Sequence, residues 1–221
     1  MKTLLVNFKN YGEILGEGSI RLAKAVKKVG DATGVETIVA PPIPMLSLVA
    51  SEVKVQVYSQ RVDGVGGDRT TGSIIPEAVK GAGGKGTILN HSESRMKRRE
   101  LNTLVPRLRG MGLAVCLCAQ TAGEAAQLSI LDPKYLAIEP PELIGSGVAV
   151  SKAKPELISR TVASARKAGY RGRILCGAGI VSGDDVTKAV ALGVDGVLVA
   201  SSVVKAKDWE AKVMELASPL R

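Results

Sequence analysis

The chain has 221 residues with 30 basic and 21 acidic side chains, a net charge of +9; that length suits one large single-core domain and excludes a mini-protein or a long repeat array. Hydrophobic residues make up 45% and aromatic residues only 3%, so disorder is excluded for most of the chain and the core must be aliphatic. No apolar run approaches the ~18 residues of a membrane span, and Met1–Asn10 lacks the pattern of a secretion signal; the expectation is a soluble cytoplasmic protein with no membrane partner.

In chain order, the predicted strands are Leu4–Val6, Glu36–Ala40, Val53–Tyr58, Thr87–Leu89, Leu113–Leu117, Tyr135–Ile138, Arg173–Leu175 and Gly196–Val199. Stretches of helical period lie between several of them. Leu22, Ala25, Val26 and Val29 mark a helix stopped by Gly30, and Leu157, Ile158, Val162 and Ala165 mark one stopped by Gly169. The basic run Arg95–Arg99 leads into Leu101, Leu104, Val105 and Leu108, whose spacing predicts an amphipathic helix with its charges outward. Ser182-Gly183-Asp184-Asp185 opens a further helix that ends at Gly193.

Strands apolar at nearly every position are buried on both faces, as in a parallel sheet with helical crossovers. Strand then helix, repeated eight times, predicts an α/β chain folded as a (β/α)8 barrel, with residues 1–221 forming one catalytic domain. The chain is short for that barrel, typically ~250 residues, so some helices must be shortened; Pro44–Ser51 and Ile74–Ala82 are the candidates. An open doubly wound sheet is the structural alternative.

Several local patterns mislead. Gly177-Ala178-Gly179 through Gly183 resembles a dinucleotide fingerprint, but the spacing is one residue too long and the acidic residue expected after the next strand is missing. Gly83-Gly84-Lys85-Gly86-Thr87 reads as a helix-to-strand turn rather than a phosphate loop. Cys116, Cys118 and Cys176 lie in apolar runs and are expected as buried thiols. His91 is the only histidine, which leaves a His/Cys zinc site little support, and no metal or organic cofactor is expected. The positive charge favours anionic partners, yet one Phe, one Trp and four Tyr leave few stacking platforms for single-stranded nucleic acid. Small anions suit the charge as readily as polymers do.

Working residues of a (β/α)8 barrel stand just after its strands. Here those positions hold Asn7 and Lys9, then His91-Ser92-Glu93, Glu139-Pro140-Pro141, Gly177-Ala178-Gly179 and Ala200-Ser201-Ser202. Small residues at two helix starts let backbone amides grip a phosphate. A carboxylate, an imidazole and an ammonium at one mouth suit proton abstraction next to a carbonyl: Glu139 takes the proton, His91 polarises the oxygen and Lys9 stabilises the developing negative charge.

These residues carry a resemblance to the triosephosphate isomerase family, its short archaeal form in particular. Asn7-Phe8-Lys9 resembles the family's Asn-x-Lys, Asn90-His91-Ser92-Glu93 its His-Ser-Glu, and Glu139 through Gly147 its catalytic glutamate and hinged lid. Cys176–Ile180 and Gly196–Ser201 resemble its two phosphate-gripping segments. The resemblance implies Glu139 as base, His91 as electrophile and Lys9 as the third catalytic residue. It also implies Asn7, Lys9, Ile144, Gly145, Gly179, Ala200 and Ser201 as contacts of a small phosphorylated triose. Ser92 and Glu93 are expected to begin a helix that keeps His91 neutral. Asn90 departs from the glycine usual before the histidine, and Ala200-Ser201 from a glycine pair. The segment Gly66–Gly72 resembles a loop that enters a neighbouring subunit, which implies a homodimer or homotetramer. A phosphate-gripping barrel isomerase acting on a larger phosphosugar is the alternative reading.

Overall fold

Eight buried runs form the strands β1 (Thr3–Asn7), β2 (Glu36–Ala40), β3 (Gln56–Ser59), β4 (Gly86–Leu89), β5 (Ala114–Ala119), β6 (Tyr135–Ile138), β7 (Arg173–Cys176) and β8 (Gly196–Val199). The computed structural model describes residues 1–64, 69–140 and 155–221. Every strand pairs in parallel with its chain neighbours, and β8 pairs back onto β1 from Thr3↔Gly196 to Val6↔Val199. The sheet is therefore a closed (β/α)8 barrel, and the open-sheet alternative is excluded.

Parallel neighbours need a crossover, usually helical. Among the described residues the helices are α1 (Glu17–Thr33), α2 (Leu46–Glu52), α3 (Pro76–Gly81), α4 (Arg98–Gly110), α5 (Ala122–Ser129), α6 (Pro155–Lys167), α7 (Gly183–Ala191), α8 (Ser201–Val204) and α9 (Trp209–Ala217). The two shortened crossovers fall where expected, at α2 and α3. On α4, Leu101, Leu104, Val105 and Leu108 are the buried positions, as their spacing predicts. Ser182 and Asp185 form a reciprocal capping box at the start of α7.

Period-two alternation divides the core into two layers. Leu5, Ile38, Tyr58, Cys116, Tyr135 and Leu175 belong to the cluster that fills the barrel. Leu4, Val39, Val57, Val115, Leu136 and Ile174, their strand neighbours, belong to the cluster shared with the helices. All three cysteines are buried free thiols.

Two predicted boundaries are corrected. Helix α1 runs through Gly30 to Thr33 and is stopped by Gly34, which adopts φ 71°. Gly30 is a packing position, since a Cβ there would lie 2.4 Å from Thr37 Oγ1 on β2. Both uses require a missing side chain, so the local pattern does not separate them. The strand predicted from Val53 begins at Gln56, because Val53 is spent capping α2, its amide donating to Val49 O at 3.0 Å.

The N-terminal end of the barrel is closed by a polar network among residues that open strands. Glu36 accepts hydrogen bonds from Thr3 Oγ1 (2.8 Å), Gln56 Nε2 (3.0 Å) and Tyr135 OH (2.8 Å). Arg173 and Lys134 supply positive charge. Burial works against the charged carboxyl, but the donors from Thr3, Tyr135 and Gln56 and the charge of Lys134 outweigh it and lower its pKa to about 2.

Candidate active site

At the opposite end the strand ladder continues one residue beyond several strands. Glu139 N–H donates to Ala119 O at 2.8 Å and Gly177 N–H to Ile138 O at 2.9 Å. Alternation then puts Glu139 on the same face as Tyr135 and Ala137, aimed into the barrel mouth. A pocket of about 260 Å³ opens there, lined among others by Lys9, His91, Glu139, Gly179, Ala200 and Ser201.

Glu139 is fully buried, and neither carboxylate oxygen has a hydrogen-bond partner among the described residues. Its Oε1 lies 3.5 Å from His91 Nε2. Burial pushes the carboxyl above the usual carboxylate range, while the neighbouring His91 ring, the Cys118 thiol and the Lys9 ammonium act the other way. A carboxylate held poorly solvated is a better proton acceptor than one in water. Gly177 makes the room: a Cβ there would stand 2.6 Å from Glu139 Cγ and 3.1 Å from Oε1.

His91 Nδ1 accepts the backbone N–H of Glu93 at 3.1 Å. That bond leaves the proton of a neutral ring on Nε2, the nitrogen facing Glu139. The expected helix at Ser92 and Glu93 is not formed. Ser94 N–H donates to His91 O at 2.8 Å in a tight turn, and α4 begins only at Arg98. Asn90 accounts for the difference. It adopts φ 61°, a left-handed conformation that asparagine tolerates. Its Oδ1 accepts Met96 N–H (3.1 Å) and its Nδ2 donates to Cys118 O (2.9 Å), so the 91–96 segment folds back on itself before any helix starts. A turn amide takes the place assigned to a helix terminus.

Lys9 also adopts a positive φ, 50°. Asn7 Oδ1 accepts its amide at 3.0 Å, and Gln60 Nε2 donates to its carbonyl at 2.9 Å and to Ala40 O at 3.1 Å. The ammonium lies 2.6 Å from Glu93 Oε1. Glu93 thus orients His91 through its backbone and Lys9 through its side chain. Asn7 itself lines an adjoining cavity shared with Gln60.

On the far wall, Gly179 adopts φ 70° and small residues continue from Ala200 to Ser202. Buried Asp185 already accepts the amides of Val181 (3.1 Å) and Ser182 (3.0 Å), which fixes the loop after Gly179. Ile144 and Gly145, with the rest of the expected lid from Pro141 to Gly147, lie outside the described residues, as do Gly66, Gly67 and Asp68.

Sequence reasoning missed Gln60, Tyr11 and Lys205. Gln60 stands directly after β3, a strand-end position the barrel rule could have flagged. Lys205 Nζ sits 5.0 Å above the Tyr11 ring, and both line the pocket. No spacing signal links those two.

The family model described as triosephosphate isomerase matches residues 2–217. The chain is similar to the triosephosphate isomerase of Methanosarcina barkeri, 43% identical over 213 residues and covering 96% of each chain. It is 43% identical to that of Caldivirga maquilingensis over 217 residues, 98% of this chain and 96% of the relative. It is 42% identical to that of Methanothermus fervidus over 217 residues, 98% of each. The chain belongs to the triosephosphate isomerase family. In this triosephosphate isomerase family member the residue before the histidine keeps the left-handed conformation that suits glycine, and adds the side-chain bonds of Asn90 that glycine would lack. Among the described residues no helix is long and apolar enough to cross a membrane.

Proposed function

We propose that the chain interconverts dihydroxyacetone phosphate and D-glyceraldehyde 3-phosphate through an enediolate, as a step of glycolysis and gluconeogenesis. The observation that carries this reading is the buried Glu139 carboxylate 3.5 Å from His91 Nε2, in a pocket of about 260 Å³ that Lys9 also lines. Glu139 removes a proton from the carbon beside the carbonyl and returns it to the neighbouring carbon. His91, protonated on Nε2, donates to the oxygen on which charge develops, and the Lys9 ammonium stabilises that charge. Asn7 and Gln60 hold Lys9 in its left-handed conformation. Gly179, Ala200 and Ser201 offer close backbone approach to the phosphate, with Ile144 and Gly145 completing the grip from the lid.

The family match supports a three-carbon substrate over a larger phosphosugar. The reading further holds that the chain acts as one catalytic domain without metal or organic cofactor. It also places the protein in the cytoplasm as a homodimer or homotetramer. Isomerisation followed with the purified protein tests the chemistry. Glu139→Asp and His91→Gln are each expected to lose 10²-fold or more in kcat, a typical scale for general acid–base groups, ~10²–10⁴-fold. Unchanged turnover in both variants would refute the assignment, and turnover of a larger phosphosugar alone would favour the alternative.

A further inference from the structure

The barrel's N-terminal end, remote from the pocket just described, carries a broad, open depression of about 720 Å³. Lys85 precedes β4, Arg109 ends α4, Lys134 precedes β6, and Arg171 and Arg173 flank the start of β7; all five line it. Two carboxylates oppose them. Asp132 holds Arg109 at 2.6 Å, and Glu36 is shared by Arg173 and Lys134. Lys85 and Arg171 have no ion-pair partner among the described residues. Like charges gathered in one concavity repel, and Glu36 is already satisfied by three neutral donors besides its cations. The fold gains nothing visible from these two charges.

Hydrogen bonds tie down the backbone at the β6–β7 end of this surface. Tyr170 OH lies 3.0 Å from Pro133 O and 3.2 Å from Arg173 O and shares its one proton between them, tying the turn before β7 to the turn before β6. Arg166 donates to Tyr170 O (3.1 Å) and Gly172 O (2.7 Å), which clamps the same turn. Gly172 is required in it, because a Cβ would stand 2.3 Å from Tyr170 OH. The cations are therefore displayed along an arc of four neighbouring strands, roughly 14 Å at ~4.8 Å per strand spacing. An elongated anion with several charges matches such an arc better than a compact one, and guanidinium groups favour phosphate oxygens.

We propose that this rim is a binding site for a linear oligophosphate, either free or as the tail of a nucleotide. The proposal is independent of the isomerase reading. It is tested by calorimetry of the full chain with inorganic triphosphate and with adenosine triphosphate, metal-free, at physiological ionic strength. Alongside the wild type runs the Lys85→Ala/Arg171→Ala double variant. Triphosphate can also enter the catalytic pocket, so its competitive inhibition of isomerisation is measured in parallel.

The expected result is binding that weakens at least tenfold in the double variant, with its isomerase activity and competitive inhibition unchanged. Equal affinity for the two ligands assigns recognition to the phosphate chain, and tighter nucleotide binding adds a contact from the base or sugar. Wild-type affinity in the double variant overturns the proposal. So does binding fully accounted for by competitive inhibition, or binding of duplex DNA without binding of triphosphate.

Discussion

Replacing Gly177 by alanine adds one methyl group where the structure leaves none space. The new Cβ would lie 2.6 Å from Glu139 Cγ, whereas carbon atoms rest at about 3.5–4.0 Å. The carboxylate side chain must therefore retreat by about 1 Å. The backbone has no reason to move, because Gly177 is not at a positive φ and its amide keeps its bond to Ile138 O. A misplacement of ~1 Å in a catalytic group costs about 10²-fold in rate, equivalent to roughly 2.7 kcal/mol in the barrier. Steady-state assays should show kcat of Gly177→Ala down about 100-fold with KM changed much less. Overpacking at ~1–3 kcal/mol should leave the protein folded. Gly123→Ala is the control, since a Cβ there meets nothing within 4 Å, and it should match wild type. Wild-type kcat in Gly177→Ala, or a loss confined to KM, would refute the argument that this glycine seats the base.

Three further outcomes follow from the same geometry. Burial raises the Glu139 pKa, so the proton it retains on folding favours the native state at low pH, and that contribution is lost as pH rises through the folded pKa. Glu139→Gln should accordingly melt higher than wild type at pH 7, with the gap narrowing as pH falls through the raised folded pKa and closed below the ordinary glutamate value of about 4.5, while losing turnover; a lower melting temperature at pH 7 contradicts this. Glu36 has the opposite sign. Its pKa is lowered to about 2, so its stabilisation is complete above the unfolded carboxylate range and is lost as pH falls toward 2. Glu36→Gln should cost about 1–3 kcal/mol at neutral pH and little at pH 2, read from denaturant melts at both pH values. Gly30→Ala should destabilise despite alanine's better helix propensity, because its Cβ meets Thr37 Oγ1 at 2.4 Å. The paired change Thr37→Ala should restore most of the loss in a chemical melt, and no rescue would count against the packing role.

Much of the site was legible because it rests on local rules. Eight apolar runs signal buried parallel strands, and the barrel rule then directs attention to the residue after each one. That rule points to Asn7, Lys9, His91, Glu139, Gly179 and Ala200, and the barrel brings all of these but Asn7 to one pocket, with Asn7 in the cavity beside it. Gln60 was open to the same rule after β3, although nothing in its neighbours marks it. Glu93 was legible only as part of a motif. Its bond to His91 lies within one loop, but its bond to Lys9 depends on the loops after β1 and β4 meeting across the mouth. The turn at His91 stands where local pattern suggests a helix start, because Asn90's left-handed backbone is held by its bonds to Met96 in the same loop and to Cys118 on β5.

The order of the elements, their buried faces and the chemistry at the strand ends belong to the amino-acid sequence alone. Periodicity and residue type express hydrogen bonding and burial within a few positions. Barrel closure decided the rest. It brought Glu139 Oε1 to 3.5 Å from His91 Nε2, made Gly177 the space the carboxylate occupies, and gathered Thr3, Glu36, Tyr135 and Arg173 at the other end. These contacts join residues remote along the chain, and their distances depend on the stagger of eight strands around one axis. No local pattern encodes that stagger, because the buried stretches of the strands are apolar on both faces and carry no sign of which neighbour they will meet.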